Sequence, residues 1–509
     1  MTRADAFAAA VAASVTAAAL PASAEAPLSA IDWLSESVNE LWPQGAPDSP
    51  MVTGALAPDV AVAPLGAPDA RTPGLQRATD AGLPAALWAG ASADDLGAAI
   101  GALGVPRLPG AQSLLFRLLT AEAAAPIGTV RAREAFFLAR VDRLLVIGAV
   151  DAALALLEAA GPDTPERLRR YFDAALLSGS EEDACAALAA NPGLAPTYPA
   201  RVFCLARAGD WQAAALALQS GAALGEIEAD EAEVLARFLD PELFEGADPL
   251  PVPEVLTPLE FRLREAVGEG LPTAGLPRAF AAADLRPIVG WKAQLEAAER
   301  LARYGALPAN RLLGAYTERT PAASGGVWDR AAAVSRLDTA LSERNAAVVA
   351  EALPDAWAAA RDARVEGPFA ELFGEPLLSL AQEGEARALA LRIALLSPVR
   401  AEAARMIATD VGVDPEDAFL AALALGAIAT AVPPDAQAGT IAAALSETRP
   451  GGAAAGHGRV LLAALEDLER AIDGDDTALA RGLSALQRAG LGADATRLAI
   501  EMRLLDRRV

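Results

Sequence analysis

Apolar and polar positions follow a helical period over most of this chain. Leu28, Ile31, Leu34, Val38 and Leu41 fall on one stripe, which predicts a short amphipathic helix over Leu28 to Trp42. A tract rich in proline, glycine and alanine then runs from Pro43 to about Pro73. Such a composition has too little apolar surface to order itself and reads as a flexible tether. From about residue 83 helical runs dominate. In the second half they are expected over 257–267, 275–283, 290–303, 308–318, 327–342, 345–361, 376–395, 399–409, 415–431, 437–446, 459–473, 476–488 and 493–506. Their starts carry capping chemistry. Thr164-Pro165-Glu166 is an N-cap followed by proline at the first helical position, and Thr257-Pro258-Leu259-Glu260 has capping-box spacing. The prolines of Glu245 to Leu256 cannot be helical and mark a break between two arrays.

The middle of the chain repeats. Three joints align: Ile147 to Ala153, Ser178 to Ala184 and Ala208 to Ala214. Their glycines, Gly148, Gly179 and Gly209, stand where a left-handed C-cap would reverse the chain between two helices. A period of 30 or 31 residues built from a helix pair is a solenoid signature. Residues 131–240 therefore resemble a degenerate tetratricopeptide-type array. The expected fold is all-α, a helical-hairpin solenoid with a flexible N-terminal tether. Its expected divisions are 1–24, 25–80, 81–245 and 257–509.

Composition supports helices and narrows the function. Hydrophobic residues make up 53% of the chain, but aromatics only 5%, and alanine dominates the apolar share, which favours closely stacked helices over sheets. The formal charge is 42 − 67 = −25. That balance argues against binding nucleic acid or anionic lipid, both of which need a basic face. Lys292 is the only lysine, so the other 41 basic residues are arginine.

The N-terminus predicts export. Arg3 precedes the small apolar run Ala6 to Leu20, Pro21 breaks it, and Ala22-Ser23-Ala24 fits a signal-peptidase site before Glu25. The longest other uncharged run, Ala418 to Val432, is shorter than the ~20 residues a membrane span requires and reads as a buried helix. In an exported chain, Cys185 and Cys204 are placed to bridge an antiparallel helix pair, a constraint worth roughly 3 kcal/mol. The competing reading is two buried thiols.

Catalytic and metal chemistry finds little support. Gly451 to Gly458 has phosphate-loop glycine spacing but lacks the lysine and hydroxyl, so it reads as a mobile connector. His457, the only histidine, falls in that exposed-looking loop. Ser324 to Arg330 reads as a glycine-capped helix start with Trp328 packed beneath it. No catalytic residue, cofactor or metal ligand is expected.

The leader, the tether and the glycine-spaced helix pairs together resemble exported proteobacterial helical-repeat proteins. The resemblance implies a non-enzymatic periplasmic scaffold or adaptor that binds protein partners of the cell envelope. Ile31, Leu34, Val38 and Leu41 would form a docking element for such a partner, or fold back on the chain's own helices. A structural part of an envelope machine, or the accessory body of a peptidoglycan-processing system, are the alternatives.

Overall fold

The computed structural model describes residues 71–380, 383–446 and 456–507. The fold is all-α. Helices follow one another from Ala93–Ala102 to Gly492–Leu504, and the strands among the described residues are three short ones. Ala121–Ala124 lies between Arg71–Thr72, to which it is antiparallel, and Gln76–Arg77, to which it is parallel. Residues 71–80, expected within the tether, thus belong to the compact unit Pro68–Val509. The helix break at 245–256 is present, but it is strapped to the helices on either side. Leu250 is buried, its N–H donates to Glu269, and Arg237 and Arg264 donate to the carbonyls of Asp248 and Pro251.

The three joint glycines adopt the required backbone. Gly148, Gly179 and Gly209 have φ of 89°, 87° and 83°, a region costly for residues with a Cβ. They join Val130–Ile147 to Val150–Ala160, Pro165–Ser178 to Glu181–Ala190, and Tyr198–Arg207 to Trp211–Leu224. Thr164 and Thr257 cap their helices through the side chain, as their spacing predicts.

Three boundaries differ from expectation. The run 415–431 ends as a helix at Ala424, because Gly426 turns at φ 70°. The run 275–283 is a 3-10 segment, Arg278–Leu285. The run 376–395 is two helices, Glu366–Ser379 and Gly384–Leu395. Glu366–Ser379 contains Gly367, Pro368, Gly374 and Pro376, all poor helix formers. Burial of Phe369, Ala370, Phe373 and Leu377 holds it together regardless.

One continuous apolar core extends from Ala78 to Leu505. At its centre is Pro109–Thr120, with eight of twelve residues buried. This helix receives the last part of the chain: His457–Ile472 and Gly492–Leu504 both pack on it. The helical array therefore closes on itself. Along that seam Gly456 and Gly458 donate their N–H groups to Ala89 and Leu87, each at 2.7 Å. Gly458 lies so close to Trp88 that a Cβ there would stand 2.3 Å from the indole ring. Farther along, Arg107 binds Glu469 and Asp473, and Arg507 forms a buried two-pronged pair with Glu366 at 2.9 and 2.6 Å.

Two smaller cores lie outside the main one. The larger, including Phe172, Leu188, Phe203, Val234 and Leu259, holds the hairpins of residues 181–239. Helix Pro165–Ser178 serves all three cores, giving Leu168 and Tyr171 to the main one, Phe172 and Leu176 to the larger satellite, and Ala174 and Leu177 to the smaller.

Candidate functional site

The hairpins around the cysteine pair expose several large apolar side chains. Cys185 and Cys204 are bridged, with Cα atoms 5.2 Å apart, tying Glu181–Ala190 to Tyr198–Arg207. The next helix, Trp211–Leu224, buries only Ala214 and Gly221. Leu216 and Leu224 are 66% and 68% exposed, and Trp211 is half exposed. Alanine explains how such a helix persists, since its propensity stabilises the backbone without a covered face. Phe238 anchors the helix from the next element by lying against both Phe203 and Trp211. Beside the disulfide a shallow apolar groove of about 450 Å³ is lined by Leu188, Ala189, Pro192 and Leu205, and rimmed by Arg201 and Arg207.

A second site is polar. A cavity of about 920 Å³ opens between Pro272–Asp284 and the helix Trp291–Ala302. Arg278, Arg300 and Arg303 line it, with Tyr304, Asp284 and Glu296. Backbone carbonyls hold the guanidiniums. Arg278 donates to Val146 at 2.6 Å, Arg300 to Thr273 at 2.7 Å and to Leu276, and Arg303 to Ala363 at 2.9 Å. Arg278 also stacks on Tyr304, 3.6 Å from the ring centroid. Burial, together with the neighbouring charges of Arg278 and Arg303, holds Arg300 below the ordinary arginine value. Burial raises Asp284, which accepts from the Thr273 hydroxyl. Sequence reading missed this cluster. Arg300 and Arg303 share a helix face, but Arg278 and the wall residue Val146 join them only in the folded chain.

The sites expected from sequence fall out differently. Ile31, Leu34, Val38 and Leu41 lie outside the described residues. Residues 451–455 of the Gly451 to Gly458 connector lie outside the described residues, but His457 is not in an exposed loop. It starts the helix His457–Ile472, is half-buried, and is held by the two glycine N–H bonds on either side of it. Gly325 and Gly326 turn at positive φ before Val327–Ser342, and Trp328 packs on Trp291 with ring centroids 5.0 Å apart. Arg330 there binds Glu299, which also accepts from the Tyr316 hydroxyl, so the segment belongs to a buried polar network. Among the described residues no group of His, Cys, Asp or Glu is placed to hold a metal ion. None of the described helices is long and apolar enough to cross a membrane.

Comparison with known proteins adds no relative: no family model, curated protein or solved structure matches the chain.

Proposed function

We propose that this protein is a non-enzymatic scaffold or adaptor, exported to the periplasm, that binds protein partners through its helical surface. The observation that carries this reading is the uncovered helix Trp211–Leu224 beside the disulfide-linked hairpin. Large side chains such as Leu216 and Leu224 gain nothing by facing water, and with half-exposed Trp211 on the same helix they offer apolar surface to a partner. Arg201 on the adjoining rim favours a protein segment that combines an apolar stripe with a carboxylate, while Arg207 already lies 3.9 Å from Glu182. The leader-like Met1 to Ala24 and the cysteine bridge both suit an oxidising compartment outside the cytoplasm.

The test uses the full chain, expressed in its native envelope, with Leu216→Asp and Leu224→Asp combined. Both positions are exposed, so the melting temperature should stay within the small range of ordinary surface changes, about 0.5 kcal/mol. Partners cross-linked to the wild type should be lost, and the mature chain should begin at Glu25. Retained cross-links would place recognition elsewhere. A cross-link from this helix to the chain's own Leu28–Trp42 segment would make the surface an internal docking site.

A further inference from the structure

We infer that the cavity between Pro272–Asp284 and the helix Trp291–Ala302 binds a small organic anion, a carboxylate or a phosphate monoester. Many of the chain's partly buried arginines, among them Arg107, Arg167, Arg170, Arg330, Arg503 and Arg507, meet a carboxylate. Arg140 and Arg143 bond to carbonyls instead. Arg278, Arg300 and Arg303 also have carbonyls as their hydrogen-bonded partners among the described residues, and these three share one cavity. A carbonyl fixes the direction of a guanidinium but does not cancel its charge. Burial, with Arg278 and Arg303 nearby, disfavours the charged form of Arg300, and Tyr304 and Asp284 only partly offset this. Holding like charges together in a partly desolvated cavity costs free energy, and an anion entering the cavity would recover it.

Charge balance sets the ligand's sign. The lining carries three guanidiniums and two carboxylates, Asp284 and Glu296, so one positive charge remains, which matches an anion. The remaining wall defines the body of the ligand. Val146, Pro272, Ala274, Leu276, Pro277 and Ala297 offer carbon surface, so the ligand carries an organic frame and is not a bare ion. A volume of about 920 Å³ is within the range of small-molecule sites. Guanidinium forks suit the paired oxygens of carboxylate and phosphate equally, and the two sources must be separated by titration.

The experiment is calorimetric titration of the full chain with succinate, glucose 6-phosphate and inorganic sulfate at low ionic strength. At least one of the two organic anions should bind, weakening as salt is added, and the stronger one identifies the anionic group. Ala274→Glu places a carboxylate at an exposed position on the cavity wall, so it tests binding without loss of a structural arginine. It should weaken binding by roughly tenfold or more and leave the melting temperature unchanged. Arg278→Gln should weaken it comparably, since its side chain lies at the mouth over Tyr304. Failure of both organic ligands to bind the wild type at millimolar concentration would overturn the inference. So would binding that both variants preserve, or sulfate binding as tightly as either organic anion.

Discussion

The seam where the chain closes and the disulfide-linked edge are built from similar helices, yet they are held by opposite means. At the seam, residues separated by more than 350 positions interlock. Arg107 reaches Glu469, Asp473 and the carbonyl of Arg507, and Glu501 accepts from the N–H of Gly110. Large side chains such as Trp88, Leu108, Leu461 and Leu498 are fully buried there. At the edge the core is small, and Trp211–Leu224 contributes to it mainly through small side chains, Ala214 and Ala217, with Leu218 partly buried. A covalent bond between Cys185 and Cys204 supplements packing that the seam has in excess. Interior packing can therefore be spent on closure, while the edge keeps an apolar face uncovered and remains folded through a cross-link.

The strongest way to break this contrast is Glu366→Ala. It leaves Arg507, whose side chain is 5% exposed, without its carboxylate. Removing one partner of a buried pair costs about 3–5 kcal/mol. The main urea-unfolding transition of the full chain should shift by that amount, and an unmoved midpoint would show that the seam does not couple to the rest of the body.

A smaller and local effect is expected from Cys185→Ser combined with Cys204→Ser. The bridge spans 19 positions, and its loss should cost at most about 3 kcal/mol. The satellite core should open first. Limited proteolysis should cut faster between residues 185 and 244, with the main transition nearly unmoved. Uniform destabilisation of the whole chain would erase the distinction between edge and seam.

The smallest effect tests the helix that joins the two regions. Burial on Pro165–Ser178 pushes Asp173 up to about 6, against the lowering influence of Arg169 and Arg170. A carboxyl whose folded value is raised contributes stability below its unfolded value of 3.8, and that contribution is lost as pH rises through about 6. Asp173→Asn keeps the uncharged form at every pH. Relative to the wild type it should gain about 2 kcal/mol between pH 4 and pH 7, read from urea midpoints at the two values. A pH-independent difference would mean that Asp173 is not desolvated at this junction.

Much of this protein is legible before folding because its signals are local. Helical periodicity, the threonine caps and the spacing of Gly148, Gly179 and Gly209 report relations between residues a few positions apart. The cysteine pair is close in sequence across one turn, so its bridge could be anticipated as well. Local signals fail where burial overrides propensity, as in Glu366–Ser379, a helix despite its glycines and prolines that begins ten residues before the expected run 376–395. They also fail where glycine ends an apolar run early, as at Gly426. Closure onto Pro109–Thr120 and the gathering of Arg278, Arg300 and Arg303 around one cavity were decided only by the tertiary structure. Alanine-rich helices offer nearly interchangeable faces, so no repeating pattern says which distant helix each will meet. That choice rests on a few shape and charge fits, such as Gly458 against Trp88 and Arg507 against Glu366, which exist only once the chain has come round to itself.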